Sequence, residues 1–340
     1  MTAWIRYLIA IGCHYSGLDA LYRRLSGAGL VVLMLHRLRG EDDPFPLSIS
    51  SDTFGQIVAW LRDDRKLVSL DEGLSHLDRP RGTTTLYAVT LDDGYRDNLN
   101  LLSPPLDGVP ATVYLATDHI GADPIWAYQL VTAVRCRRQD LLDLGHLGLG
   151  RFDLSDAHER RRALAILPPL LKQLPHERFQ EVLDGVFAQL QPRTREASER
   201  EMMDWDDVRT LDRNGIDLGG HTRGHVLLSR VDAATAQAEI EGCTDQIAQV
   251  LHKRPRHFAY PNGTAEDFGP RDVELVRRAG YVSATTSIEG VNRTQTDRYR
   301  LLRFNVHESR YRTPSGALSP ALFFSESSGL LGLMRKMASA

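Results

Sequence analysis

Val89-Thr90-Leu91-Asp92-Asp93-Gly94 is a strand end that runs into two adjacent carboxylates. The apolar run Leu86 to Leu91 reads as a buried strand, and the polar break after it is abrupt. In parallel α/β folds, reacting groups gather at the C-terminal ends of strands. Reading outward, the same arrangement recurs. Val31 to Leu35 is a strand that ends in His36, and Ala111 to Ala116 is a third strand, rich in β-branched residues. Ile216 to Leu218 runs into Gly219-Gly220-His221, where the glycine pair suggests a sharply turning backbone. Phe258 to Tyr260 runs into Pro261-Asn262-Gly263. Ala284 to Thr286 and Leu301 to Val306 complete the set.

Helical patterns separate these strands. Phe54 to Leu61 is one. A long one starts at Asp232 and places Ile240, Cys243, Ile247 and Val250 at helical spacing. Another starts near Pro270 and stops at Gly280. Alternation of this kind predicts a parallel sheet, open or closed into a barrel. From about 125 to 201 the alternation fails. Helical patterns occur there without a convincing strand: Ser155 reads as the cap of a helix to Leu174, and a second helix runs from Glu177 to Leu190. The stretch is read as a helical insertion in a barrel spanning 29–310, between an N-terminal helical segment 1–28 and a C-terminal tail 311–340.

Composition bounds the function. The 340 residues carry a net charge of -3, with 42% hydrophobic and 25% charged residues. That balance excludes global disorder, collagen-like repeats and a multi-span membrane protein. It also argues against a nucleic-acid partner, which needs a dominant basic field. Cys13, Cys136 and Cys243 form neither a disulfide framework nor a zinc knuckle. The run Tyr7 to Cys13 is too short to span a bilayer, and no clear secretory signal precedes it. Leu18, Leu21 and Leu25, with Arg23 and Arg24 beside them, suit a helix packed on the domain or one lying on a membrane. Leu330, Leu331, Leu333 and Met334 invite the same two readings. The expected location is cytoplasmic, with peripheral contact to the inner membrane through the ends of the chain.

Three clusters can carry chemistry. His221 and His225 are at i and i+4, so a helix or tight turn would let both imidazoles share a metal; alone, such a pair is commonly a surface feature. Asp92 and Asp93 point to different sides of a strand end. One can complete a His-His-carboxylate metal site and the other can serve as general base, although Asp-Asp-Gly also marks ordinary turns. His36 alone would be a structural histidine; beside a hydrolytic metal it is a candidate general acid. Trp126 and Tyr128 follow the third strand and could line a substrate site or merely pack on the barrel, and Trp205 reads as core.

Together these residues resemble the polysaccharide deacetylase family, carbohydrate esterase family 4. Val89–Gly94 looks like its first motif, His221-Thr222-Arg223-Gly224-His225 matches its second, and Phe258–Gly263 looks like its third. Leu33-Met34-Leu35-His36-Arg37 resembles the poly-N-acetylglucosamine deacetylase branch, where the acid motif precedes the first motif. The resemblance implies an α/β fold, a distorted (β/α)7 barrel, and metal-dependent removal of acetyl groups from N-acetylated glycans or glycolipids. It implies Asp93, His221 and His225 as metal ligands, Asp92 as base and His36 as acid. Asn262, Pro261, Tyr260 and Tyr95 fall on the oxyanion and substrate side, and Thr222 would brace the second-motif loop. Zinc is the expected metal, with cobalt, nickel or iron as alternatives.

The chain also departs from the pattern. Ala259 stands where the third motif usually carries the Arg that orients the base, leaving Arg256 and Arg303 as substitutes. No Asp-x-x-Asp-Trp motif lies between Gly280 and Arg300, and no late Leu-x-His motif follows; His307 lacks that context, so His36 is preferred. Competing readings are a metallohydrolase of a non-sugar amide, a sugar-binding relative without activity, and a glycosidase. The last needs carboxylates about 5 to 9.5 Å apart, which neighbours in sequence rarely provide.

Overall fold

The computed structural model describes residues 3–39, 46–63, 66–79, 82–193 and 200–339. The strands are β1 (Gly29–Leu35), β2 (Thr85–Leu91), β3 (Ala111–Leu115), β4 (Leu141–Asp143), β5 (Arg151–Asp153), β6 (Asp217–Gly220), β7 (His257–Ala259), β8 (Ser283–Thr285) and β9 (Arg303–Asn305). Between and around them lie α1 (Ala3–Tyr15), α2 (Leu18–Leu25), α3 (Ser51–Asp63), α4 (Leu70–Leu77), α5 (Trp126–Arg135) and α6 (Ala157–Gln173). The remaining helices are α7 (His176–Leu190), α8 (Trp205–Arg213), α9 (Ala233–Leu251), α10 (Pro270–Arg278), α11 (Pro320–Ser327) and α12 (Leu330–Ser339).

Seven strands form one parallel sheet in the order β8-β7-β6-β3-β2-β1-β9. Leu301, just ahead of β9, bridges to β8: its N–H donates to Ala284 at 2.9 Å and its carbonyl accepts from Thr286 at 2.8 Å. The sheet therefore curls into a nearly closed, distorted (β/α) barrel. Every residue of β1 and β3 is buried, as expected of strands covered on both faces. Their apolar runs have no alternation because neither face meets water.

Gly219 and Gly220 serve packing rather than turning. Both lie within β6, and a Cβ on Gly219 would stand 2.5 Å from the Tyr114 ring and 2.6 Å from the His257 carbonyl. Neighbouring strands carry bulk into the space these glycines leave.

Between β3 and β6 the chain builds a lobe with its own apolar core of Leu142, Phe152, Leu167, Leu171, Val186 and Leu190. It is not wholly helical, since β4 and β5 pair as a short antiparallel hairpin inside it. Three-residue strands leave too little periodicity to be read from sequence. Asp156, not Ser155, caps α6, accepting from the N–H groups of His158 and Glu159. Tightly packed at both ends of the chain, α1 lies against α11, with Ala10 and Cys13 buried. Among the described residues no helix is long and apolar enough to cross a membrane.

Candidate active site

The polar residues after the strands converge on one rim of the barrel. His36, Asp92, Asp93, His221, His225 and Asn262 line a single cleft of about 1060 Å³. Their backbones are unusual. Among the described residues six non-glycines have positive φ, and four of them are here: Asp93 at 83°, Thr222 at 61°, His225 at 54° and Asn262 at 59°. A β-branched residue in this region is a genuine outlier, and each such position costs on the order of 1–3 kcal/mol. The barrel therefore holds these loops in conformations they would not choose alone. The segment 221–225 is an irregular loop, not a helix, and its shape sets the two imidazole centroids 4.9 Å apart.

Asp93, His221 and His225 each direct one ligand-capable atom into a common space, all within 4.8 Å of one another. Both Nε2 atoms lie 3.4 Å from Asp93 Oδ1. That oxygen is buried without a hydrogen-bond partner among the described residues. A buried carboxylate oxygen lacking a donor and facing two imidazoles suits a cation. His221 supports this reading, because its Nδ1 donates to the Ala259 carbonyl at 2.7 Å and leaves the Nε2 lone pair facing inward. Burial pushes His225 down to about 3, keeping it neutral and able to ligate. Burial would raise Asp93, but His221, His225 and His36 hold it below the ordinary carboxylate value.

Asp92 meets a different partner. Arg303 Nη1 and Nη2 donate to its two oxygens at 2.6 and 2.8 Å, and both side chains are almost fully buried. Arg303 is fixed in turn by donation from Nε to the Thr286 carbonyl at 2.6 Å and from Nη1 to Thr90 Oγ1 at 3.2 Å. Burial raises Asp92, yet Arg303 and His221 bring it below its usual value. Of the two arginines weighed as substitutes, Arg303 is the one that reaches Asp92. Arg256 does not: it is exposed ahead of β7, at the opposite end of the barrel, and forks onto Asp71 at 2.9 and 3.0 Å.

His36 lines the cleft, whereas His307 is not among its lining residues. Burial lowers His36, with Asp93 and Asp92 pulling the other way. A buried plug supports it. The guanidinium of Arg37 lies between the rings of Tyr95 and Tyr128, 4.6 and 4.3 Å from their centroids, and pairs with Asp97 and Glu201. Asn98 Nδ2 donates to the His36 carbonyl at 2.9 Å. Arg37 closes the Leu33–Arg37 segment quoted above, but nothing in the sequence assigned it a role.

Several predicted positions fall elsewhere. Tyr95 is fully buried against Arg37 and does not face the cleft. Tyr260 stacks on Phe268 at 4.0 Å and donates to the Tyr299 carbonyl, so its side chain is turned away. Pro261 is buried, and its carbonyl accepts from Gly263 at 2.6 Å. The Thr222 hydroxyl has no partner among the described residues. The loop is braced instead by Glu239, which accepts from the N–H groups of Arg223 and Gly224 at 3.0 and 2.8 Å. Trp126 does line the cleft, while Tyr128 is buried beneath it.

The inserted lobe supplies a residue that no motif marks. Lys172 of α6 reaches the cleft and donates to Asn262 Oδ1, and burial lowers its pKa. A second cavity of about 800 Å³ adjoins the first through Trp126, His225 and Leu227, walled by Leu171, Phe179 and Leu183.

A family model described as polysaccharide deacetylase matches residues 171–284, a span that contains His221, His225 and the Asn262 loop. The match covers about a third of the chain. Among solved structures it is similar to a Streptococcus pyogenes deacetylase, PplD, at 14% identity over 84% of this chain and 95% of that one, with a TM-score of 0.55. It is similar to IcaB from Ammonifex degensii at 18% identity over 89% and 98%, with a TM-score of 0.54. A polysaccharide deacetylase from Bacillus cereus, BC0361, aligns at 14% identity over 88% and 69%, with a TM-score of 0.51. No curated protein matches significantly. At these identities the structural likeness speaks for the fold.

Proposed function

We propose that this chain is a polysaccharide deacetylase, a metal-dependent hydrolase removing N-acetyl groups from a glycan or a lipid-linked N-acetylhexosamine. The observation that carries the reading is one cleft joining a His-His-carboxylate cluster, a second carboxylate forked by Arg303, and His36. Asp93, His221 and His225 would hold the cation, and a donor set of two imidazoles and one carboxylate suits zinc, with cobalt, nickel or iron as alternatives. Bound there, a divalent cation supplies Lewis acidity toward an amide carbonyl and toward water.

The chain's own residues do the rest. Asp92, ionised and held in one orientation by Arg303, takes a proton from the attacking water. The oxygen of that water bonds to the carbonyl carbon. The Asn262 N–H, which donates to no described residue, supports the negative charge that develops on the carbonyl oxygen. His36, in its protonated form, delivers a proton to the leaving nitrogen as the C–N bond breaks, and the proton Asp92 took from water then restores His36, so that acetate and a free amine result. Lys172 and Trp126 position the sugar, which gives the inserted lobe a part in substrate choice. The second cavity extends the cleft and favours a glycan or glycolipid over a small cyclic amide.

The test is acetate release from N-acetylglucosamine oligomers and from lipid-linked N-acetylhexosamine, with metal analysis of the same preparation, beside Asp92→Asn. Metal-dependent release that Asp92→Asn abolishes is expected. Bound metal with no release from either sugar would turn the reading to other amides.

A further inference from the structure

We infer that α1, α2 and α12 form a surface that docks on an anionic lipid bilayer. Twelve large hydrophobic side chains are exposed among the described residues, and ten of them sit on these three helices. They are Trp4, Ile5, Leu8 and Tyr15 on α1, Leu18, Leu21 and Leu25 on α2, and Leu333, Met334 and Met337 on α12. Ordinary surfaces scatter such residues singly; a cluster marks an interaction site.

Each helix presents its exposed apolar residues on one side. At about 100° per residue, Trp4, Ile5, Leu8 and Tyr15 fall within an arc of roughly 100°, and Leu18, Leu21 and Leu25 within roughly 60°. Ala10 and Cys13, which are buried, fall on the far side of α1, so its outward face is surplus to its packing on α11. Helix α2 packs on α1, and α12 packs on α11, so the three belong to one assembly.

Charge decides the occupant. The three helices carry five Lys and Arg residues against one acid, in a chain whose net charge is -3. The acid, Asp19, is buried and pairs with His14 at 3.0 Å and Arg23 at 3.6 Å. Arg24 is exposed, and Arg335, about half exposed, lies 3.8 Å from the buried carboxylate of Glu326, so the cationic edge of the surface is carried chiefly by Arg24. A second copy of this chain would bring like charges together across a two-fold axis, whereas anionic headgroups neutralise them. Trp4 and Tyr15 have the amphipathic rings that settle at the headgroup level. The surface is tied to the cleft, because Arg6 pairs with Glu326 at 2.7 Å and donates to the carbonyl of Arg310, a cleft-lining residue. Docking through this face would hold the cleft near substrates anchored in the membrane. The inference stands on the surface alone and does not need the catalytic reading.

The test is co-sedimentation of the full chain with phosphatidylcholine vesicles, with and without roughly one-third phosphatidylglycerol. Binding to the anionic vesicles, weakening with salt, is expected. Leu8→Glu/Leu21→Glu/Leu25→Glu should lower partitioning at least about ten-fold, and thermal melting checks that the variant folds. Arg24→Gln/Arg335→Gln leaves the apolar face intact and should lose the preference for anionic vesicles; if the first variant does not fold, this one decides. Unchanged partitioning of the folded triple variant would overturn the inference. So would a dimer in light scattering that binds no vesicles and dissociates in the triple variant.

Discussion

Arg303→Met tests how the site keeps its base. Arg303 gives Asp92 two hydrogen bonds, at 2.6 and 2.8 Å, from a guanidinium only 1% exposed. Removing it leaves a buried carboxylate with no counter-charge, which costs about 3–5 kcal/mol. Set against a domain stability of roughly 5–15 kcal/mol, that is a large fraction. The loss should therefore appear in urea denaturation of the metal-free protein as a clearly lower midpoint with an unchanged slope. Asp92→Asn/Arg303→Met removes the unpaired charge as well, so the double variant should recover more than about 1.4 kcal/mol relative to Arg303→Met, a difference above ordinary non-additivity. Activity should separate from stability. Acetate release by folded Arg303→Met should fall roughly 100-fold, because an unforked carboxylate loses its aim at the water, and Arg303→Lys, with charge but no fork, should fall between. A folded Arg303→Met with parental stability and parental rate would refute the assignment of Arg303 as the residue that positions the base.

The other predictions concern the metal, the lobe and pH. Chelation should lower the melting temperature and metal return should restore it, since a ligand at about 1,000 times its Kd adds about 4 kcal/mol; His225→Ala should lose this increment, which calorimetry with and without chelator would measure. Lys172→Met should raise KM on sugar oligomers roughly ten-fold with little change in kcat, as expected when a charged donor is lost from substrate positioning; a KM at the parental value removes the lobe from substrate choice. For Glu308, burial works upward, but Thr53 Oγ1 at 2.6 Å, the Ser50 N–H at 2.8 Å and Arg312 together hold it below the ordinary value. Its stabilisation is complete above the unfolded value of about 4.3 and is lost as pH falls through the lowered folded value, so Glu308→Gln should flatten the acid side of a stability–pH curve from urea melts.

How much of this was legible in sequence depended on the length scale of each signal. The barrel strands could be read because burial makes Leu30 to Leu35 an unbroken apolar run and leaves only Thr90 polar between Leu86 and Leu91. Asp92, Asp93, His221 and His225 could be read because each follows such a run within a few residues. Three kinds of feature could not. The β4–β5 hairpin is shorter than any usable period. The choice of Arg303 over Arg256 depends on which rim of the barrel each reaches, and the nearer in sequence to the third motif is the wrong one: Arg256 precedes β7 while Arg303 begins β9, whose side chain runs inward to Thr90 and Asp92.

The third kind is backbone conformation. Glycine announces a left-handed position, but Asp93, Thr222, His225 and Asn262 adopt one without being glycine. Asp, Asn and His tolerate this region better than other side chains, so propensity argues hardest against the β-branched Thr222, which the surrounding barrel over-determines. Two are proposed ligands, one separates them, and one carries the proposed oxyanion donor, so the strain coincides with the chemistry. If the strain serves to aim these groups, a glycine at Thr222 should relax the loop and stabilise the metal-free fold while weakening metal binding, because the two imidazoles would no longer be held 4.9 Å apart in advance. A Thr222→Gly variant that gains stability and binds metal as tightly as the parent would show that the strain is incidental to the site.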